Sequence, residues 1–234
     1  MGGNGRALPE QAARDYHRLR NLDEYITVAS APKPGAGVEG AILAGGKSRR
    51  MGRDKLLLPF GGGTVLQAIS EAVLPLVERL RLIGRDPTLG LLFPDAQPDL
   101  HPGLGPLSGI HAALATAEAD RVLVVACDLP FVTTAFLRGL LEGLSPELEA
   151  VVPCPGGEPV AVCALYRVTC LEDLAARLER RALAASDFAG SLRARFLDDR
   201  DLTRLDPSGH CLLNLNTPLD YEKAREILRN ESKT

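Results

Sequence analysis

From Val38 onward, short apolar runs alternate with segments long enough to form helices, and this alternation constrains the fold more than any other feature. The run Val122–Ala126 is almost wholly apolar and β-branched, as expected for a central strand covered on both faces. Strand and helix segments in alternation are typical of βαβ units. The sequence therefore predicts an α/β, Rossmann-like fold, with a mostly parallel sheet and helices on both faces.

The same pattern predicts approximate bounds for the elements. Strands are expected at residues 38–43, 81–83, 91–93, 122–126, 150–152 and 160–166. Helices are expected to start near Thr64, to pass through residues 110–114, and to cover 134–144, 171–180 and 217–228. In open α/β sheets of this kind, ligands bind at the carboxyl ends of the strands. Functional residues are therefore sought just after the strands.

Residues 1–37 differ in composition from the rest of the chain. They begin with glycines, continue through a charged stretch and close on a Pro-rich and Gly-rich piece typical of a linker. We expect an N-terminal extension at 1–37, flexible or partly helical, followed by one catalytic domain at 38–234. No apolar run approaches the ~20 residues of a membrane span, and no secretory segment follows Met1, so a cytoplasmic protein without a membrane partner is expected.

Charge and cysteine content exclude further classes of function. The five cysteines show no CxxC pair or zinc spacing, which favours buried thiols. A net charge of −3 argues against a nucleic-acid partner, which would need a broad basic face. The basic residues are instead concentrated between residues 47 and 55, where five cations accompany a single carboxylate. This local charge predicts a small polyanionic ligand.

The loop after the first strand has the composition of a phosphate site. Gly45 and Gly46 lack a Cβ, so backbone amides there can approach phosphate oxygens closely. Arg49, Arg50 and Lys55 then supply cations that suit a triphosphate. The spacing excludes a Walker A loop, and a solvated basic surface loop is the alternative.

Two aspartates also follow predicted strands. Asp128 ends the most buried strand and is a natural ligand for Mg²⁺, which prefers one or two carboxylates together with substrate phosphates. A turn or a helix cap is the alternative for such a residue. Asp95 closes the third short strand, where it could accept hydrogen bonds from a ribose or a base.

The stretch Asn214–Pro218 carries a further pattern. Two asparagines two residues apart on a strand would project to the same face, and Thr217-Pro218 is typical of a helix start. The alternative is that both amides only bond to backbone.

Four motifs in order closely resemble the molybdenum cofactor guanylyltransferase family: Leu43–Lys55, Pro102–Gly109, Cys127–Phe131 and Asn214–Pro218. The resemblance implies a nucleotide-diphospho-sugar transferase-like nucleotidyltransferase that moves GMP from GTP to molybdopterin or Mo-molybdopterin, releasing pyrophosphate, with Mg²⁺. It assigns GTP binding to Leu43, Ala44, Gly45, Lys55, Asp95 and Asp128, and the composition of the loop adds Gly46 to this set. It also assigns the metal to Asp128.

On this interpretation Lys55 and Asp128 are the catalytic residues. Candidates for molybdopterin or for supporting contacts are Asn214, Asn216, Arg180 and Arg181, the arginines because a pterin phosphate needs cations. Members of the family commonly carry an asparagine at the end of the second strand, where this chain has Gly84-Arg85.

Three questions about function stay open at this stage. A molybdenum cofactor cytidylyltransferase is the nearest alternative, although it would resemble this chain with aspartate at the position of Asn216. A non-catalytic module that binds nucleotide or delivers cofactor is another. Molybdoenzyme apoproteins or delivery chaperones are further candidate partners.

Overall fold

The computed structural model describes residues 37–45, 55–84, 100–101 and 103–231. Its strands are β1 (Val38–Leu43), β2 (Pro59–Phe60), β3 (Gly63–Thr64), β4 (Arg79–Ile83), β5 (Arg121–Ala126), β6 (Ala150–Pro153), β7 (Cys163–Arg167) and β8 (Ala194–Leu197). Its α-helices are α1 (Val65–Val73), α2 (Pro106–Ala115), α3 (Thr134–Glu142), α4 (Leu171–Glu179), α5 (Ala185–Ser191), α6 (Asp199–Leu205) and α7 (Pro218–Glu231).

Six strands form one sheet in the order β4-β1-β5-β7-β6-β8. β1 pairs in parallel with both β4 and β5, and β6 pairs in parallel with β8, whereas β7 is antiparallel to its two neighbours. All six residues of β1 are buried, as expected for a strand with neighbours on both edges and helices on both faces. The mostly parallel α/β sheet predicted from the sequence is confirmed.

The alternation of side chains along the central strands divides the core into two layers. Ile42 and Val125 face one layer, which also contains apolar residues of α1, α3 and α7. Ala41, Leu43 and Val124 face the other layer, packed against α2, α4 and α5. Successive strand residues point to opposite faces, so the sheet needs helices on both sides to bury them.

A buried ion pair fixes the amino-terminal half of the sheet. Arg81 on β4 places its Nε atom 2.7 Å from Glu39 Oε2 on β1, and both side chains are almost fully buried. Arg81 also donates to the carbonyl oxygen of Ala113 at 2.8 Å, and Glu39 accepts from the amide of Glu118 at 2.9 Å. Burial lowers the pKa of Arg81, while the charge of Glu39 opposes that shift. The pair ties β1 and β4 to the end of α2.

Several details differ from the predicted elements. α5, β8 and α6 were not predicted. The strand expected at 160–166 starts only at Cys163. The strand at 91–93 lies outside the described residues, as do residues 1–36, so the N-terminal extension stays a prediction. Within the part of the chain that the structure describes, no helix has both the length and the apolar composition needed to cross a membrane.

Candidate active site

The carboxyl ends of β4, β1 and β5 lie side by side because the three strands are parallel. Backbone hydrogen bonds continue to the last residues: the amide of Ala44 donates to Ile83 O at 2.6 Å, and the amide of Cys127 donates to Leu43 O at 3.1 Å. This row of strand ends, here called the carboxyl edge, therefore brings together Gly84, the Ala44–Gly45 peptide and Asp128.

Leu43, Ala44 and Gly45 differ in how they can contact a nucleotide. Leu43 is buried, and a Cβ added at Gly109 of α2 would lie 3.4 Å from its Cδ2 atom, so its side chain contributes to packing. The amide of Ala44 is already bonded within the sheet. Gly45 is exposed. Phosphate contacts from backbone amides must therefore begin at Gly45 or later in the chain.

Gly84 lies directly against this loop. A Cβ placed on Gly84 would lie 2.9 Å from the carbonyl carbon of Ala44 and 3.0 Å from the amide nitrogen of Gly45. Both distances are shorter than ordinary van der Waals contact with backbone. The position directly after β4 is thus occupied by a glycine whose surroundings leave no space for a side chain.

Asp128 follows β5 and is half-buried. Burial raises the pKa of its carboxyl above the ordinary value, and the positive charge of Lys55 partly opposes the shift. Its surroundings therefore stabilise the ionised carboxylate less than water would. A divalent cation binds favourably under this electrostatic condition.

Lys55 is the first residue of a short 3-10 helix, Lys55–Leu57. The next residue, Leu56, is buried and anchors this helix in the core. Lys55 itself is half-buried, and its Nζ atom donates to Asn216 Oδ1 at 3.1 Å. The catalytic lysine predicted from the sequence is thus held by a residue 161 positions later in the chain.

The segment that carries Asn216 is anchored at several points. Leu215 is buried, and its amide donates to the carbonyl oxygen of Asp128 at 2.8 Å. The amide of Thr217 donates to Asp220 Oδ2 at 2.8 Å, and the amide of Asp220 donates to Thr217 Oγ1 at 3.2 Å, so α7 begins as predicted with a capped first turn. The segment therefore contacts both predicted catalytic residues, Lys55 through a side chain and Asp128 through backbone.

The prediction that Asn214 and Asn216 lie on a strand is wrong. The segment 214–216 has no regular structure, because its described backbone bonds go to Asp128 and to the cap of α7 instead of to a neighbouring strand. The expected alternation nevertheless occurs: Asn214 and Asn216 are exposed and Leu215 between them is buried. The sequence pattern also gave no signal for the Leu215–Asp128 bond, since backbone contacts leave no trace in side-chain identity.

Two of the remaining predicted residues lie at the end of a helix. Arg180 and Arg181 are exposed at the carboxyl end of α4, where Arg181 has a left-handed backbone with φ of 57°. Gly46, Arg49, Arg50 and Asp95 lie outside the described residues.

The donor set at the carboxyl edge fits a Mg²⁺ ion that is shared with substrate. Among the described residues, no group of three or more histidines, cysteines or carboxylates could form a complete metal cage. Mg²⁺ is usually bound by one or two carboxylates with phosphates and waters completing the coordination. Asp128, a single carboxylate near Lys55, matches that arrangement.

Comparisons with known proteins identify the family to which the chain belongs. Residues 40–194 match the family model described as "MobA-like NTP transferase domain". A probable molybdenum cofactor guanylyltransferase of Pelotomaculum thermopropionicum is 34% identical over 192 residues, covering 82% of this chain and 93% of the relative. A molybdenum cofactor guanylyltransferase of Desulfosudis oleivorans is 31% identical, covering 82% of this chain and 96% of the relative.

A solved structure shares both the fold and part of the sequence. The molybdopterin-guanine dinucleotide biosynthesis protein A of Archaeoglobus fulgidus superposes with a TM-score of 0.71 at 26% identity, covering 82% of this chain and 99% of that one. NTP transferases of this family generally use a divalent metal ion. The chain therefore belongs to the molybdenum cofactor guanylyltransferase family of nucleotidyltransferases, with a MobA-like NTP transferase domain.

Proposed function

We propose that this protein transfers GMP from GTP to molybdopterin or Mo-molybdopterin and releases pyrophosphate. Family membership and the names of the relatives support guanylyl transfer. The observation that carries the assignment of residues is the convergence of Lys55, Asn216 and the Asp128 backbone at the carboxyl edge. These three segments are distant in sequence, and each was predicted from its own motif.

The proposed reaction is an in-line displacement at the α-phosphorus of GTP. A phosphate oxygen of molybdopterin forms the new bond to phosphorus, and the bond to the oxygen that leaves with pyrophosphate breaks. Positioning and charge stabilisation dominate such a transfer. Lys55 stabilises the negative charge that develops on the departing pyrophosphate, and the backbone amides of Gly45 and Gly46 orient the phosphates.

We assign Mg²⁺ as the divalent metal, held by Asp128 and the phosphates of GTP. When bound there, the ion neutralises phosphate charge and aligns the reacting oxygens. The support for this assignment is the donor set: a single half-buried carboxylate at the end of β5 leaves the remaining coordination positions to phosphates and waters, as Mg²⁺ prefers.

Substitution at the two catalytic positions tests this assignment. Lys55→Ala and Asp128→Asn should each lower turnover by about 10²–10³-fold in a pyrophosphate-release assay with GTP, molybdopterin and Mg²⁺. Matched controls are Lys223→Ala and Asp187→Asn, which change exposed residues on α7 and α5. Wild-type turnover in either site variant would contradict the roles proposed here.

The same assay separates catalysis from the alternative of a binding or delivery module. A protein that only binds nucleotide would release no pyrophosphate even with molybdopterin present. Release that depends on both substrates is the expected result.

The proposal that the base is guanine rests on the names of the relatives and not on Asn216. The side chain of Asn216 bonds to Lys55, which we place at the phosphates, so its link to the base is indirect. Isothermal titration with GTP and CTP tests the point directly. Tighter binding of CTP than of GTP would favour a cytidylyltransferase instead.

The contacts to molybdopterin are a separate part of the proposal. Asn214 is exposed beside the Lys55–Asn216 contact, and Arg180 and Arg181 are exposed cations at the end of α4. If they bind the pterin phosphate, their replacement by alanine should raise the KM for molybdopterin and leave the KM for GTP unchanged. We also propose that the reaction takes place in the cytoplasm and that product passes to apoenzymes or delivery chaperones.

A further inference from the structure

We infer that Gly84 is a positioning residue for the nucleotide loop, the stretch that follows β1 and begins at Ala44. Its missing side chain sets where the Ala44–Gly45 peptide lies. This inference rests on the proposed nucleotide site at the end of β1. Gly84 itself is assigned no contact with substrate. Its role is to leave open the space into which the peptide of the neighbouring strand packs.

The ends of β4 and β1 approach each other closely at Gly84. A Cβ on Gly84 would meet three atoms of the β1 end, at 2.9 Å from the Ala44 carbonyl carbon, 3.0 Å from the Gly45 nitrogen and 3.1 Å from the Ala44 Cβ. Two of the three atoms belong to the backbone, which cannot rotate away as a flexible side chain can. Any side chain at residue 84 must therefore displace the peptide.

The peptide that precedes the Ala44–Gly45 peptide, Leu43–Ala44, is fixed in the sheet. The amide of Ala44 donates to Ile83 O at 2.6 Å, directly before Gly84, and the carbonyl of Leu43 accepts from Cys127 at 3.1 Å. The Ala44–Gly45 peptide is thus fixed at its amino-terminal end between β4 and β5. Displacement by residue 84 would change the direction in which the Gly45 amide projects from the sheet.

The backbone conformation of Gly84 does not itself require glycine. Gly84 is not among the described residues with positive φ, whereas Gly61 and Gly103 are. Glycine at 84 is therefore explained by the space that Ala44 and Gly45 occupy and not by a left-handed turn. The lack of space at residue 84 therefore concerns Ala44 and Gly45, the first residues of the nucleotide loop.

Gly84→Ala tests the inference with a single added methyl group. Misplacement of a contact by about 1 Å can cost about 10²-fold, so a shift of a few tenths of an ångström should raise the KM and the dissociation constant for GTP by about tenfold. The KM for molybdopterin should change little. A purely structural role would lower the unfolding midpoint without separating the two substrates.

Gly139→Ala is the matched control. Its new Cβ would lie 2.6 Å from Leu205 Cδ2, so it also overpacks the core, but between α3 and α6. Gly139→Ala should lower stability or leave it unchanged while GTP affinity stays at the wild-type value. If Gly84→Ala binds GTP as the wild type does, the inference is wrong and the proposed function is unaffected. If the wild type binds no GTP, the proposed function is wrong.

A second variant covers the case in which Gly84→Ala does not fold. Ala44→Gly/Gly84→Ala removes the contact between the two Cβ atoms and loosens the backbone at residue 44. Compared with Ala44→Gly alone, the double variant should still bind GTP more weakly, because the contacts of residue 84 with the peptide atoms remain. Equal GTP affinity in these two variants would overturn the inference.

Discussion

Replacing Asn216 by aspartate changes the charge beside Lys55, the proposed catalytic lysine, while keeping the shape of the side chain nearly constant. In the wild type, Lys55 Nζ donates to a neutral amide oxygen at 3.1 Å. The neutral partner orients the lysine and leaves its full positive charge available to the triphosphate that we propose it binds. A carboxylate at the same place would pair with Lys55 and repel the phosphates, so both effects should weaken GTP binding.

The magnitude follows from the distance. Two unit charges 3.1 Å apart attract each other by about 1.3 kcal/mol in the dielectric of water and by about 5 kcal/mol at an effective dielectric of 20. Asn216 is exposed and Lys55 is only half-buried, so we take a value near the lower figure. About 1.4 kcal/mol corresponds to a tenfold loss of GTP affinity for Asn216→Asp.

Asn216→Ala provides the comparison, because it removes the hydrogen bond without adding charge. A hydrogen bond of this kind contributes about 1 kcal/mol, so a loss of about fivefold is expected. Rising salt should reduce the difference in GTP affinity between the two variants, measured by titration calorimetry, since the screening length falls to about 3 Å at 1 M. If Asn216→Asp binds GTP as tightly as the wild type at low salt, the proposed contact of Lys55 with the triphosphate is wrong. Charge at the phosphates also predicts equal losses for GTP and CTP, whereas base selection by Asn216 predicts a gain for CTP.

Three further outcomes are expected. Because burial raises the pKa of Asp128, its contribution to stability is fully present below the ordinary carboxyl pKa and is lost as pH rises through the raised value. Metal-free Asp128→Asn should therefore unfold at a higher temperature than the wild type at neutral pH and at the same temperature in acid. Glu39→Gln leaves Arg81 buried without its charged partner and should cost about 3–5 kcal/mol in urea unfolding, whereas Arg79→Gln at a more exposed pair should cost less than about 1 kcal/mol. Tyr221→Phe removes a hydroxyl that donates to a carbonyl of β2 at 2.6 Å and should cost about 1 kcal/mol in the same assay.

The central sheet could be predicted from the sequence because its strands are buried on both faces. Val122–Ala126 is apolar throughout, and β5 spans Arg121–Ala126. The later elements could not be predicted as well, since they are short and partly exposed. In β8 only Leu197 is buried, so the four-residue strand shows no apolar run, and no residue of α6 is buried. Without a continuous buried face, periodicity carries little information.

In the candidate site, too, the residue types could be predicted from the sequence, whereas the contacts between distant segments could not. Gly45, Lys55 and Asp128 were predicted because phosphate and metal chemistry restricts the residue types that can serve. The sequence could not show that Asn216 bonds to Lys55, because 161 positions separate them. Nor could it show why Gly84 is a glycine, since the clash with Ala44 exists only when β4 and β1 are adjacent.

The C-terminal segment has a larger part in the site than its motif suggested. Tyr221 on α7 bonds to Pro59 near the 3-10 helix of Lys55, and Leu215 bonds to the backbone of Asp128. Lys55 and Asp128 come from separate segments, and the same short stretch of chain contacts both. Docking of α7 therefore fixes the position of Lys55 relative to Asp128. It follows that changes which detach α7 should weaken GTP binding even where every residue at the carboxyl edge is unchanged.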